Sequence, residues 1–252
     1  MNDMLKKEKI KILSKQLRLP TFSNCEDIIR QLPCNADYID FLIELMQKEL
    51  EERSLSGVQK RIKAAKFPIF KSIDEFETER LEHVSNSKIA SLASCDFIKS
   101  KQNIVMIGNP GSGKTHLATA FGINACRAGY KVKFYTAVNL AAELAEAVQA
   151  SRLTKLEKNM ASVDLLIVDE LSYMTFNRYQ SEMLFQIISE RSERASVIIT
   201  TNLEFSQWTQ LFDNEMMVAA MIDRLTYRSH ILNMNCTSSY RIDNHGRSLE
   251  PS

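Results

Sequence analysis

The stretch from Asn103 to Ala118 constrains the fold more than any other part of this chain of 252 residues. It reads NIVMIG, NPGSGKT and HLA, so an apolar run ends in a glycine-rich loop that a helix-like segment follows. The loop matches Gly-x-x-x-x-Gly-Lys-Thr, in which the glycines let successive backbone N–H groups turn inward towards phosphate oxygens. A strand, a phosphate-binding loop and a helix in this order predict a nucleotide-binding P-loop fold.

The residues of this loop have separate physical roles in binding ATP and Mg²⁺. Lys114 supplies a positive charge for the β- and γ-phosphates, and the Thr115 hydroxyl suits a Mg²⁺ ligand. The helix that starts near Lys114 directs its positive end at the same anion. The predicted nucleotide-binding residues are Gly108, Asn109, Pro110, Gly111, Ser112, Gly113, Lys114, Thr115 and His116.

A second segment, residues 164–170, indicates hydrolysis as well as binding. The sequence DLLIVDE reads as a buried parallel strand that ends in two carboxylates, Asp169 and Glu170. Asp169 suits the outer shell of the Mg²⁺ that Thr115 holds, and Glu170 suits the base that polarises an attacking water. Alone, such a segment would fit a core strand with a solvated acidic end. Its combination with the phosphate loop favours the catalytic interpretation.

A third strand-like segment, SVIITT at residues 196–201, ends just before Asn202. An amide at this place can orient the attacking water or contact the γ-phosphate. Asparagine also caps helices, and a helical segment follows Leu203, so the residues alone leave both roles open.

Strand-like and helix-like segments alternate from Asn103 onwards, which predicts an α/β domain with a parallel sheet covered on both faces. The N-terminal region is helical, and Phe67-Pro68 breaks its pattern. We therefore predict a helical domain over residues 1–66 and an ATPase domain over residues 67–252. The predicted strands are 103–108, 131–136, 164–168, 196–201 and 230–234, and the predicted helices include 36–53, 79–91, 114–128 and 178–193.

Composition indicates an ordinary globular protein, with 44% hydrophobic and 25% charged residues. No apolar run approaches the roughly 20 residues of a membrane span, and the N-terminus is too polar for a signal peptide, so we expect a cytoplasmic protein. A net charge of +1 hides a basic stretch that contains Lys60, Arg61, Lys63 and Lys66. These four side chains can contact DNA phosphates or form a solvated helix face, and charge alone does not separate the two.

The motifs together resemble a family. GNPGSGKTHLA, LLIVDE, IITTN, MIDRLTYRSHIL and SYR, in this order, resemble the initiator and helicase-loader branch of the AAA+ ATPases. They are most similar to the IstB-like family, ATPase helpers of insertion-sequence transposases, to which the helicase loader DnaC is related. LRLPTF and KSIDEFE extend the resemblance to the N-terminal region, so that it covers nearly the whole chain.

This resemblance implies the strand order 5-1-4-3-2, with Asn202 as the sensor between the phosphate loop and the acidic strand. It implies a homo-oligomer, a ring or a helical assembly, in which Arg224 enters the neighbouring subunit's site and stabilises charge on the γ-phosphate. Arg228 is the nearby alternative, and a surface salt bridge is the other interpretation of Arg224. The branch carries a C-terminal helical lid, which we expect to be reduced or absent here, and Arg241 matches its nucleotide-binding arginine.

The resemblance also implies that helices within residues 137–161 form a DNA-facing insertion. The predicted function is an ATP-dependent DNA-binding ATPase that assembles on double-stranded DNA and recruits or activates a transposase. A replicative helicase loader is the alternative, because it would share every ATPase residue. A small-molecule P-loop kinase fits less well, since no arginine-rich lid is visible and a kinase does not need a carboxylate placed like Glu170 for a water.

Overall fold

The computed structural model describes residues 3–31, 38–78, 81–172, 175–192, 194–212 and 214–236. The chain divides into two compact units, residues 1–60 and residues 61–252, whereas the sequence places the domain boundary after residue 66. The difference arises because the end of the last N-terminal helix belongs to the second unit. Ala65, for example, is fully buried in one of the hydrophobic clusters of that unit.

The first unit is helical and has a small core. Its helices are α1 (Asp3–Leu17), a short 3₁₀ helix (Pro20–Asn24), α2 (Cys25–Gln31) and α3 (Tyr38–Ala65), of which the last extends beyond this unit. The core consists of Cys25, Ile28 and Leu45, against which Phe22 and Phe41 pack. Helix α3 continues well past residue 53, where the sequence predicts its end.

The second unit contains a five-stranded sheet between two layers of helices. Its strands are β1 (Asn103–Ile107), β2 (Val132–Thr136), β3 (Leu165–Asp169), β4 (Ser196–Thr201) and β5 (Ser229–Asn233). Its helices are α4 (Asn86–Ala93), α5 (Asp96–Lys99), α6 (Lys114–Arg127), α7 (Ala137–Gln149), α8 (Leu153–Ala161), α9 (Arg178–Arg191) and α10 (Glu215–Thr226). All neighbouring strands are parallel, in the order β2-β3-β4-β1-β5. This confirms the predicted order 5-1-4-3-2.

The inner strands are apolar on both faces because each face is covered by helices. In β3, Leu166 and Val168 belong to the cluster beneath α7 to α10, whereas Leu165 and Ile167 belong to the cluster beneath α4 to α6. This alternation is the two-residue period of a strand whose two faces are both buried. The sheet therefore holds the carboxyl ends of β1, β3 and β4 side by side at one edge.

The helix predicted at residues 79–91 is wrong at its start, since α4 begins only at Asn86. Ser85 precedes it in an extended conformation, and the Ser85 side chain accepts a hydrogen bond from the Lys88 backbone N–H at 3.2 Å. This cap fixes the start of the helix, and the buried side chains of Leu81 and Val84 lie before it. Among the described residues, no helix is both long enough and apolar enough to span a membrane.

Candidate nucleotide site

The phosphate loop lies between β1 and α6, and two of its glycines are required by close approaches of other groups. At Gly113, which has a φ of +89°, a Cβ atom would lie 2.6 Å from the Phe76 ring. At Gly108, a Cβ atom would lie 2.6 Å from the backbone carbonyl carbon of Met234, just after β5. Side chains at these positions would push the loop away from the sheet and from the segment before it.

Lys114 begins α6 and is held inside the loop, with 8% of its surface exposed. Its Nζ donates hydrogen bonds to the backbone oxygens of Gly108, at 2.6 Å, and of Asn109, at 2.8 Å. These carbonyls orient the ammonium group within the loop, at the amino end of α6. The charge and the positive end of the helix thus lie where an anion would bind.

Thr115 and the end of β3 form a connected polar cluster. The Thr115 hydroxyl donates to Oδ1 of Asp169 at 3.0 Å, and the Thr200 hydroxyl donates to the same oxygen at 2.5 Å. Asp169 is 2% exposed, and burial raises the pKa of its carboxyl group, an effect that the two threonine hydrogen bonds oppose. A hydroxyl and a carboxylate oxygen are the hard ligands that Mg²⁺ prefers, so these two residues fit the predicted metal site.

Glu170 follows Asp169 but lies in a different environment. Its side chain is exposed, and its φ of 60° places the backbone in the left-handed region, which is uncommon for a residue other than glycine. The Glu170 backbone N–H donates to the Thr200 hydroxyl at 2.9 Å. Thr200 therefore fixes both acids: it donates to the buried carboxylate and accepts from the backbone of the exposed one.

A cavity of about 300 Å³ lies beside these groups. Asp169 is not among the described residues that line it, but it accepts hydrogen bonds from Thr115 and Thr200, which do. Its walls include the predicted residues Lys114, Thr115, His116 and Glu170, and also Asn202 at the end of β4. The sequence did not identify its other wall, which belongs to residues 67–78, named here the connecting segment, and to the residue Leu81 beyond it. The lining residues from these parts are Pro68, Ile69, Lys71, Glu75, Phe76, Glu77 and Leu81.

Thr200 and Phe76 both line the cavity without having been predicted from the sequence, but a sequence pattern exists only for Thr200. Thr200 lies on β4, two residues before Asn202, which directly follows the strand, so the strand period places both residues on the same face. Phe76 lies in the irregular connecting segment, where no periodicity indicates which side chains turn towards the phosphate loop. Its location follows only from tertiary packing.

The predicted arginine contacts lie elsewhere. Arg224 is on α10, where its Nη1 donates to the backbone oxygen of Ala220 at 3.0 Å and its guanidinium lies 5.1 Å from the centre of the Phe185 ring. It is not among the described residues that line the cavity. Arg228, the alternative, is exposed and lies over its neighbour Tyr227. Arg241 and the expected position of a lid fall outside the described residues.

The four basic residues predicted to bind DNA are not equivalent. Lys60, Lys63 and Lys66 are exposed, whereas Arg61 is partly buried. The Arg61 Nε–H donates to the backbone oxygen of Cys126 at 2.8 Å, in the last turn of α6. A cation at this end of a helix is favourable, so Arg61 has a structural role in the second unit.

Comparison with known proteins gives the family of this chain. The chain matches the family described as IstB-like ATP binding protein over residues 13–248. It is 34% identical over 238 residues to a protein of Geobacillus stearothermophilus named as the putative ATP-binding protein of insertion sequence IS5376, covering 94% of each chain. A Pseudomonas aeruginosa protein named likewise for insertion sequence IS21 is 33% identical over 206 residues, covering 82% of this chain and 77% of the relative.

Solved structures share the fold at low sequence identity. The DnaC helicase loader superposes with a TM-score of 0.52 and 18% identity, over 66% of this chain and 96% of DnaC. AMPPCP-bound DnaA from Aquifex aeolicus gives a TM-score of 0.54 and 19% identity, over 72% of this chain but only 55% of DnaA. These two matches support the AAA+ architecture alone. The family match and the two insertion-sequence relatives show that the chain belongs to the IstB-like ATP-binding proteins, within the AAA+ fold.

Proposed function

We propose that this protein hydrolyses ATP with Mg²⁺, assembles as a homo-oligomer on double-stranded DNA and recruits or activates a transposase. The observation that carries the ATPase part is the polar cluster at the carboxyl edge of the sheet. In it, Thr115 and Thr200 donate to the same oxygen of Asp169, beside Lys114 and the exposed Glu170. Hydrolysis requires this combination of a phosphate-binding cation, metal ligands and a base.

The residues of the chain divide the reaction among them. Lys114 and the backbone N–H groups of the loop bind the phosphates, and Thr115 and Asp169 would hold Mg²⁺, which neutralises charge on the β- and γ-phosphates when it is bound. Glu170 accepts a proton from the attacking water, whose oxygen bonds to the γ-phosphorus while the bond to the bridging oxygen breaks and ADP leaves. Asn202, which lines the same cavity, orients that water.

Arg224 completes this site in a neighbouring subunit under the proposal. In the single chain, the partly buried Arg224 guanidinium donates to the Ala220 carbonyl of its own helix and lies against the Phe185 ring on α9. A guanidinium stabilises charge on the γ-phosphate only when it lies beside that group. Supplying it from the adjacent subunit links hydrolysis to assembly.

The DNA and transposase parts rest on the relatives, which are named for insertion sequences. The three exposed lysines, Lys60, Lys63 and Lys66, are the proposed phosphate contacts. Arg61 is left out of this set because it binds the Cys126 carbonyl. Each DNA phosphate that a lysine neutralises releases counterions, so the binding affinity should fall steeply with salt.

The test compares wild type with the triple variant Lys60→Ala, Lys63→Ala, Lys66→Ala in a fluorescence anisotropy titration of double-stranded DNA with ATP. We expect weaker binding, and a slope of log affinity against log salt that is shallower by about 0.9 for each phosphate that the variant no longer neutralises. The matched control removes three other exposed charges, Lys99→Ala, Lys101→Ala and Lys131→Ala, and should keep the wild-type slope.

An unchanged affinity and slope in the first variant would exclude these lysines as the DNA-binding residues. The protein partner is tested by capture on the wild-type protein bound to DNA and ATP. Retention of a transposase supports the proposal, whereas retention of a replicative helicase instead of a transposase favours the loader alternative.

A further inference from the structure

His116 joins the phosphate-loop helix to the connecting segment. It is the third residue of α6, and its Nε2 lies 2.8 Å from the backbone oxygen of Ser72. A backbone carbonyl can only accept a hydrogen bond, so Nε2 carries the hydrogen and donates it. This bond links two parts of the chain that are 44 residues apart.

Phe76 lies at the same junction. Its ring packs edge-on against the His116 ring, with centroids 5.3 Å apart and an interplanar angle of 72°. It also lies so close to Gly113 that a Cβ atom there would be 2.6 Å from the ring. The segment turns tightly around this ring, because the Phe76 N–H donates to the Ile73 oxygen at 3.1 Å. The packing of Phe76 and the hydrogen bond from His116 to Ser72 thus hold the connecting segment against the phosphate loop.

Both sides of this junction line the nucleotide cavity. The phosphate loop supplies the N–H groups and the cation, whereas the connecting segment supplies the apolar side chains of Pro68, Ile69 and Phe76 together with three charged residues, Lys71, Glu75 and Glu77. A triphosphate group needs the first part of this lining, and the flat, largely apolar base of a nucleotide fits the apolar side chains of the second. The hydrogen bond from His116 to the Ser72 oxygen directly joins these two parts of the lining.

We propose that His116 is a positioning residue for the base of the nucleotide. It holds the connecting segment, and with it Phe76, against the phosphate loop, so that base and phosphates are bound by one rigid site. This inference rests on the proposed ATP function and changes the predicted role of His116, which acts on the nucleotide through Ser72 and Phe76. Without the hydrogen bond from His116, the site should bind the base more weakly and the phosphates as before.

The experiment uses two probes, ATP and inorganic tripolyphosphate, the second of which lacks the base. Isothermal titration calorimetry gives the affinity of each for the full-length chain. His116→Ala should weaken ATP binding by about tenfold, the worth of one hydrogen bond and its packing, and leave tripolyphosphate binding within about twofold. His116→Gln should recover most of the affinity, because its amide nitrogen can donate to the same carbonyl.

His83→Ala is the matched control, since His83 is exposed, and it should bind both probes like wild type. Phe76→Leu provides a second variant that should show the same selective loss, and it tests the inference if His116→Ala does not fold. An equal loss for both probes would overturn the inference, because His116 would then act on the phosphates. Unchanged ATP affinity in both variants would overturn it too. Wild-type protein that binds neither probe would instead refute the proposed ATP function.

Discussion

Two charged groups near the phosphate loop are buried and firmly fixed, whereas the charged group that we propose for catalysis on α10 is less buried and less constrained. Lys114 and Asp169 are buried, and each is fixed by at least two hydrogen bonds within the site. Arg224 is only partly buried, and it contacts the carbonyl of Ala220, one turn earlier in its own helix, and the ring of Phe185.

Under the proposed function, this difference distinguishes the steps that one chain performs alone from those that need a neighbour. The buried groups are held in place by the fold before any ligand binds, which is how a site avoids a cost of reorganisation. The Arg224 side chain is long and has several rotatable bonds, so it can exchange its contacts with Ala220 and Phe185 for an anionic partner on a neighbouring subunit. We infer that nucleotide binding belongs to the single chain, and that full hydrolysis belongs to the assembly.

Lys114→Ala should have the largest effect, because it removes the buried cation that would donate charge-assisted hydrogen bonds to the β- and γ-phosphate oxygens of bound ATP. Such bonds contribute about 1.5–3 kcal/mol each, so we expect the ATP affinity to fall by about a thousandfold and hydrolysis to disappear with it. Calorimetry of ATP binding and a phosphate-release assay measure both. ATP affinity close to wild type would contradict the assignment of the phosphate loop.

Arg224→Ala tests the other side of the comparison. It should leave the ATP affinity of the monomer within about twofold, yet reduce hydrolysis in the assembly by about a thousandfold, as for other arginines that act in trans. Oligomerisation in the presence of ATP should weaken as well, which sedimentation velocity measures. A thousandfold loss of monomer ATP affinity would mean that Arg224, like Lys114, binds the nucleotide within its own chain.

Mixing two inactive variants shows whether the arginine acts across an interface. Arg224→Ala subunits carry an intact Glu170, and Glu170→Gln subunits carry an intact arginine, so some interfaces in the mixture contain both groups. Partial recovery of hydrolysis is expected. If crosslinking shows mixed assemblies that remain inactive, the arginine acts within its own chain. Recovery with Arg228→Ala in place of Arg224→Ala, and not with Arg224→Ala, would transfer the role to Arg228.

The sequence predicts the sheet well because strands and loops are specified locally. Each of the five strands lies within one residue of its predicted bounds, since apolar runs that both layers of helices cover are distinct from the amphipathic helices between them. The strand order required the family resemblance, because no local pattern states which strands are neighbours. The sequence predicts the start of α4 seven residues too early, because a serine such as Ser85 acts as a helix cap only in the right backbone conformation.

In the site, too, the sequence predicts what local motifs specify and does not predict contacts that depend on tertiary packing. The motifs predict Lys114, Thr115, Asp169 and Glu170, and the structure brings these four residues close together, with Thr115 hydrogen-bonded to Asp169. The contribution of the connecting segment was not predicted, because the hydrogen bond from His116 to Ser72 joins residues that have no shared pattern. For Arg61 the sequence suggests a role that the structure does not favour. Its charge indicates DNA binding, but in the folded protein its Nε–H donates to the Cys126 backbone oxygen.

Thr200→Val should have the smallest effect on hydrolysis. It tests whether the positions of Asp169 and Glu170 depend on the Thr200 hydroxyl. The change leaves Asp169 with one donor fewer and leaves the Glu170 N–H without its acceptor. We expect kcat for ATP hydrolysis to fall by about tenfold, because both acids lose a fixed position, while KM changes little. Thr200→Ser keeps the hydroxyl and should restore most of the activity.

The pH profile distinguishes positioning from general loss of stability. Burial raises the pKa of Asp169, and the Thr200 hydrogen bond opposes that rise, so removing the bond should raise the pKa further. A protonated carboxyl group is a poor metal ligand, so activity is lost on the acid side, and in Thr200→Val that loss should begin at a higher pH than in wild type. Thr201→Val is the control: the Thr201 hydroxyl donates to the Leu171 oxygen, outside the acid pair, and its removal should lower stability without moving the acid limb. An acid limb that stays at the wild-type pH in Thr200→Val would mean that Thr200 supports the fold but does not tune Asp169.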